Sequence, residues 1–150
     1  MELELKNISV TLSNKKILRS INLKVENGEF ISLLGASGCG KTTMLKTIAG
    51  IINQSEGSVI LGGNVADNIP AHKRNTVIVF QDFRLFPHMT VAENISFPLK
   101  MRGINKSERR RKAIDLLKKV KLEDYEDRYV DEISGGQMQR VALARALAAD

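Results

Sequence analysis

The 150-residue chain carries a single cysteine, Cys39, so an internal disulfide is excluded. No apolar run approaches the ~18 residues that a membrane-crossing helix needs, and Met1–Val10 lacks the basic-then-apolar layout of a signal peptide. Internal repeats and low-complexity segments are also missing, as are metal-ligand clusters and nucleophilic triads. These absences together favour the cytosol. What is there is ordinary for a soluble globular domain: 43% hydrophobic and 27% charged residues.

The net charge of +6 is unevenly spread. Lys106–Lys121 holds eight basic and two acidic residues, and Glu123–Glu132 holds six acidic and one basic. Such a dipolar surface can attract nucleic acid or acidic lipid. The plainer reading, which we prefer, is a solvated helix followed by an acidic loop. Ile114, Leu117 and Val120 recur beneath the charges at helical spacing, and Glu108 with Lys112 forms an i,i+4 pair.

Along the chain, Leu3, Leu5, Ile8 and Val10 predict a first strand, and Ile17–Val25 a second ended by the Asn27–Gly28 turn. "EFISLL" (29–34) and "TVIVF" (76–80) are continuous apolar runs, as in strands buried on both faces of a parallel sheet. "GSVILGGNV" (57–65) predicts a hairpin around Gly62–Gly63. After the first apolar run, Met44, Leu45, Ile48 and Ala49 mark a helix face that Gly50 caps. Thr90 and Glu93 form a capping box on a helix that Pro98 should limit. A further helix should run from about Ser107 to Val120, and a last one should open at the second box, Ser134 with Gln137. The layout is an α/β core, an antiparallel β piece and a helical piece of about 90–132.

"GASGCGKT", Gly35–Thr42, matches G-x-x-x-x-G-K-[ST] between an apolar strand and an amphipathic helix. A phosphate chain can be surrounded by backbone N–H groups only where no side chain intervenes, hence Gly35, Gly38 and Gly40. The helix start adds unpaired N–H groups and the positive end of its dipole. Lys41 supplies a charge to the outer phosphates, and the Thr42 hydroxyl can ligate Mg²⁺. An ordinary glycine turn would not place a lysine against the dipole. Cys39 inside the loop reads first as a small filler. Gln81, just past "TVIVF", could ligate Mg²⁺ or orient water from the C-terminal end of a strand. In "ISGGQMQR", Ser134 is an N-cap while Gly135 and Gly136 leave N–H groups bare, which makes an anion site.

With these three motifs in this order, the chain resembles the ATP-binding cassette (ABC) transporter ATPases over essentially its whole length. "GASGCGKTT" resembles their Walker A motif, "VFQD" their Q-loop and "ISGGQMQR" (133–140) their signature motif. "QDFRLFPHMTVAENISFPLKMRG" is most similar to importers of polyamines, ferric iron, sulfate or sugars. The resemblance implies a P-loop NTPase fold: an ABC ATPase cassette with antiparallel β and helical subdomains, of which residues 1–150 form a part, with 133–149 as signature motif and helix. It implies ATP and Mg²⁺ as cofactors, held by Gly35, Ser37, Gly38, Cys39, Gly40, Lys41, Thr42, Thr43 and Gln81. Lys41 and Gln81 would be the catalytic members. Ser134, Gly135, Gly136 and Gln137 would act in trans on ATP held by a second ATP-binding subunit, most simply a homodimer. Transmembrane permease subunits would dock on Gln81–Met89, where Phe83, Leu85, Phe86 and Met89 crowd an apolar loop with Arg84 and His88. A solute-binding protein would act indirectly. The location implied is the inner face of the cell membrane.

The pattern is not followed everywhere. The family's adenine-stacking aromatic falls on Leu12, which offers apolar contact without stacking and leaves GTP use open. Ile133 stands for the usual leucine, a volume-conserving change. Two other classes remain. A nucleic-acid or ribosome-associated cassette is disfavoured because 93 positions between Lys41 and Ser134 leave no room for a long coiled coil. A non-catalytic nucleotide-binding module stays open, because the family's Asp-Glu strand and later histidine lie outside residues 1–150. The strands that would flank "EFISLL" also lie outside them. A chain of residues 1–150 alone is therefore expected to fold poorly and to release no phosphate from ATP above background; steady release in a phosphate assay would contradict this.

Overall fold

The computed structural model describes residues 1–149 and divides into two compact units, Met1–Ile78 and Val79–Asp150. The first unit is built on an antiparallel sheet of order β2-β1-β3-β4. Its strands are β1 (Leu3–Leu12), β2 (Lys15–Val25), β3 (Glu56–Leu61) and β4 (Asn64–Val65). β1 lies centrally, with Leu5 opposite Leu23 on one side and Val59 on the other. Leu5, Ile8, Val10, Leu18, Val59 and Leu61 are buried, and Met44 of helix α1 (Lys41–Ile48) joins their cluster. The expected hairpin at Gly62–Gly63 forms, because left-handed glycines permit the two-residue turn that matches strand twist. On α1 Met44 and Thr47 are buried, as is Ala49 at its C-cap, whereas Leu45, expected on the same face, is 46% exposed.

The two apolar runs expected as parallel strands do not form strands. Residues 29–34 and 76–80 have no ladder partner among the described residues. Phe30 and Leu34 are 92% and 90% exposed. A strand is defined by neighbours that take up its N–H and C=O groups, and none of the described strands runs beside these segments. The described sheet is thus the antiparallel one alone.

The second unit packs three helices: α2 (Val91–Met101), α3 (Lys106–Lys119) and α4 (Gly135–Ala148). Val91, Ile95, Leu99, Ala113, Leu117, Val141 and Ala144 form its core. Ile133 is buried with them, consistent with its near-isosteric role. α2 begins at the Thr90–Glu93 capping box, and the N–H groups of Val91 and Ala92 donate to Arg128 and Glu126 carbonyls at 2.8 and 3.0 Å. Those acceptors come from the acidic loop, so it does structural work as the lid on a helix start. Pro98 does not end α2 as expected. It lies inside the helix, which continues to Met101. The missing N–H removes only the bond to Asn94, and the last turn is held by Arg102 N–H donating to Pro98 O at 3.2 Å.

α3 buries Ala113 and Leu117 and leaves its charges outside. Arg110 and Asp127 form a bidentate pair at 2.8 and 2.9 Å, and Lys112 pairs with Glu108 at 3.2 Å. The plain reading of the basic stretch as a solvated face is what the helix displays. Ile95, fully buried in the second core, tests that core directly. Ile95→Ala should lower unfolding free energy by about 2–5 kcal/mol, measured by chemical denaturation of the full chain.

Candidate functional site

The glycine loop Gly35–Gly40 runs into α1 and is exposed up to Cys39. Gly40 is the N-cap of α1 with φ 100°, and it is buried. A Cβ here would sit 2.8 Å from Leu18 Cδ2, so β2 presses on the loop where only glycine fits. Lys41 is the first helical residue. Its ammonium donates to the carbonyls of Gly35 at 2.7 Å and Ala36 at 2.9 Å, and lies 3.5 Å from Cys39 Sγ. The loop therefore wraps its own lysine, and Ser37 and Gly38 form the turn above it. Thr42 is exposed and Thr43 half-buried on the first turn.

The four α-helices start differently. Thr90, Asn105 and Ser134 each cap their helix with a side-chain oxygen. α1 has no side-chain cap and no acidic residue in its first turn. An uncapped start with a lysine against its dipole is unfavourable by about 0.3–1 kcal/mol for the charge alone. That start is suited to an anion, which would accept from the N–H groups and pair with Lys41. The donor set fits a nucleotide's phosphates.

The signature turn is assembled in the second unit. Ser134 Oγ accepts from the Gln137 N–H at 3.4 Å, and Gln137 Oε1 accepts from the Ser134 N–H at 2.8 Å. Gln137 Nε2 donates to Tyr125 Oη at 3.0 Å, and the Tyr125 ring carries the Arg128 guanidinium at 4.2 Å. Both ends of the Gln137 amide are thus engaged within the chain. Gly135 and Gly136 differ from every other glycine here. They are helical, and a Cβ on either would meet nothing within 4 Å. Neither backbone conformation nor packing within the chain calls for glycine, although each costs roughly 0.5–1 kcal/mol relative to alanine.

Gln81 is exposed at the start of the second unit, ahead of a tight loop. Phe83 and Arg84 have φ of 54° and 46°, a left-handed pair that costs about 1–3 kcal/mol each in non-glycine residues. Arg145 of α4 holds this loop. It donates to Phe83 O at 2.8 Å and lies 5.4 Å from the Phe86 ring, and burial pulls its pKa below the usual arginine value. Asn94, fully buried on α2, accepts from Phe86 N–H at 2.8 Å and donates to the carbonyls of Phe86 and Met89 at 3.1 and 3.2 Å.

The apolar residues of this loop are half-buried rather than exposed. Leu85 packs on the helical core, and Phe86 lies 4.6 Å from Phe97. Beside them is an open cleft of about 230 Å³ lined by His88, Met89, Glu93, Phe97, Lys100 and Arg109. The structure thus gathers the Gly35–Thr43 loop in one unit, and separately Gln81–Met89 and Ser134–Gln137 in the other. Leu12 ends β1, 38% exposed.

Sequence reasoning missed Asn94, Arg145, Tyr125 and Arg74, the last of which donates to the Thr47 carbonyl at the end of α1 at 3.0 Å. A polar Asn94 on the otherwise apolar face of α2 was a visible signal. The other three carried none, because their partners are backbone carbonyls or residues distant in sequence.

A phosphate cradle at an uncapped helix, followed by a second glycine helix start, defines a P-loop nucleotide-binding protein of cassette type. Residues 18–150 match the ABC transporter family, and the chain belongs to it. It is 45% identical over 144 residues to the Fe(3+) ions import ATP-binding protein FbpC of Escherichia coli O157:H7, covering 96% of this chain and 41% of that protein. It is 44% identical over 147 residues to the spermidine/putrescine import ATP-binding protein PotA of Thermotoga maritima, covering 98% and 40%. The chain therefore spans about two fifths of the length of these curated relatives. Among solved structures it is similar to the dimeric ATP-binding cassette MJ0796 in a post-hydrolysis state bound to ADP and Pi. That likeness has a TM-score of 0.86 and 35% identity, over 98% of this chain and 69% of that one. A second dimeric structure of MJ0796, described as a bacterial ABC transporter cassette, gives a TM-score of 0.87. The expected fold class is thereby borne out, as is the resemblance to importer ATPases.

Replacing Asn94 with Ala should release the 86–89 loop while leaving α2 formed. Amide exchange at Phe86 is expected to accelerate at least tenfold, corresponding to loss of a bond worth about 1.4 kcal/mol, read by hydrogen–deuterium exchange.

Proposed function

We propose that this chain is the ATP-binding and ATP-hydrolysing part of an importer subunit that works as a head-to-tail pair on the inner face of the cell membrane. The observation that carries the reading is the start of α1, which lacks a side-chain cap and an acidic neighbour yet begins with Lys41. Backbone N–H groups of the loop and first turn would hold the phosphates, with Gly38 and Gly40 leaving room. Lys41 would leave its loop carbonyls to pair with the outer phosphates. Phosphoryl transfer depends mainly on such positioning and charge stabilisation. Mg²⁺ would supply neutralisation of phosphate charge, with Thr42 Oγ1 as its ligand in the first unit.

Glycines that nothing in the chain requires support the second half of the proposal. Ser134 is committed to capping through its Oγ, but the bare backbone at Gly135 and Gly136 lets an anion from outside come close. In the pair, that anion is the terminal phosphate of ATP bound by the partner subunit. Gln137 would serve by shaping the turn, since its amide is already engaged by Ser134 and Tyr125. Dimeric cassettes among the similar structures are consistent with this arrangement.

The cleft beside His88 and Met89 is the surface on which a permease subunit would dock, with the loop held stiff by Asn94 and Arg145. A solute-binding protein would enter only through that permease. Leu12 offers the base an apolar edge, so discrimination between ATP and GTP should be weak.

Lys41→Ala in the full-length protein should abolish transport, measured as uptake of labelled solute; retained uptake would overturn the phosphate reading. Gly136→Ala should leave melting temperature unchanged or raised, since it meets nothing and alanine favours helix by about 1 kcal/mol. It should nevertheless depress ATP turnover at least tenfold. Equal turnover would remove Gly136 from the site.

A further inference from the structure

α1 is only eight residues long, and a helix of two turns has little stability of its own. Its direction must be set from outside, because the phosphate-facing end has no side-chain cap. The opposite end is where it is anchored. Gly50, with φ 73°, closes a turn in which its N–H donates to Thr47 O at 3.0 Å and the Ile51 N–H to Lys46 O at 2.9 Å. This is the six-to-one and five-to-two pair of a left-handed helix stop.

Onto that stop sits one buried guanidinium. Arg74 is 4% exposed. Its Nη1 donates to Thr47 O at 3.0 Å and Ile48 O at 3.1 Å, the last carbonyls of α1. Its Nε donates to Ile69 O at 2.8 Å, and Nη2 to Asp67 O at 3.4 Å. Four backbone carbonyls from two segments thus converge on one rigid fork. The room is made by Gly50, where a Cβ would fall 2.5 Å from Arg74 Nε. Among the described residues no carboxylate forms an ion pair with it; its charge is met by the negative end of the α1 dipole and by the field of the Asp67 carboxylate.

We infer that Arg74 is a positioning residue for the nucleotide site: it holds the tail of α1 so that the head of the helix presents Lys41 and its N–H groups at a fixed angle to the phosphates. The inference rests on the phosphate reading of the Gly35–Thr43 loop. A planar fork is needed because two carbonyls of α1 and two of the 67–69 segment must be met at once, which a lysine ammonium cannot do with the same geometry.

The test uses Arg74→Met, which keeps an apolar stem and removes the fork, and Arg74→Lys, which keeps the charge. MgATP dissociation constants and melting temperatures are measured on the full-length protein and both variants, well below each melting point. In R74M the affinity for MgATP is expected to fall about ten- to hundredfold, as for a displaced positioning group, with a smaller, several-fold loss in R74K. Wild-type affinity in either folded variant, even with a lowered melting temperature, would overturn the inference and leave the phosphate reading intact. Absence of MgATP binding by the wild-type protein would instead overturn the phosphate reading itself. Failure of both variants to fold would make Arg74 a folding determinant, and the positioning role would fall.

Discussion

The N–H groups at the start of a helix must find acceptors, and how each helix here solves that problem organises the molecule. α2 draws on Thr90 and on two carbonyls of the acidic loop. α3 draws on Asn105. α1 has no side-chain solution within the chain, and its first residue is a lysine. α4 has Ser134 but spends its next two positions on glycines that touch nothing. Of the four α-helices, α1 has neither a side-chain cap nor an acidic first turn, and α4 alone follows its cap with two glycines; these are the starts at which we propose a bound anion.

Around those starts the structure invests in rigidity. β2 presses on Gly40, and Arg74 grips the tail of α1. In the second unit Tyr125 holds Gln137, while Asn94 and Arg145 lock the loop after Gln81. None of these supporting residues is a candidate ligand. They fix backbone geometry, which is what a site made largely of N–H groups demands. The strained pair Phe83–Arg84 belongs with them, since a left-handed bend in two L-residues persists only where neighbours over-determine it.

The motifs were legible in the sequence because each depends on local chemistry. The loop at Gly35–Thr42, the capping boxes at Thr90 and Ser134 and the hairpin at Gly62–Gly63 all form where the residue types place them. Other readings failed for non-local reasons. "EFISLL" and "TVIVF" have the composition of buried parallel strands, yet composition cannot supply the neighbouring strands that would make them so. Pro98 has the residue type of a helix stop, but a proline removes only one hydrogen bond, and packing of Leu99 in the helical core carries α2 past it. At the Gln81–Met89 loop the composition alone does not show that Leu85 and Phe86 are partly used in local packing, which leaves the cleft beside His88 and Met89 as its open part.

Sequence alone thus determined where backbone N–H groups stand free of side chains: at Gly35–Thr43, where we propose a phosphate, and at Ser134–Gly136, where we propose an approaching anion. These follow from where side chains are missing, which is visible residue by residue. Tertiary structure decided how firmly each is held. Arg74, Asn94, Tyr125 and Arg145 act on carbonyls or partners up to 62 positions away. A one-dimensional pattern carries no trace of such distances, because backbone acceptors are the same at every residue and only the fold brings a particular one within reach.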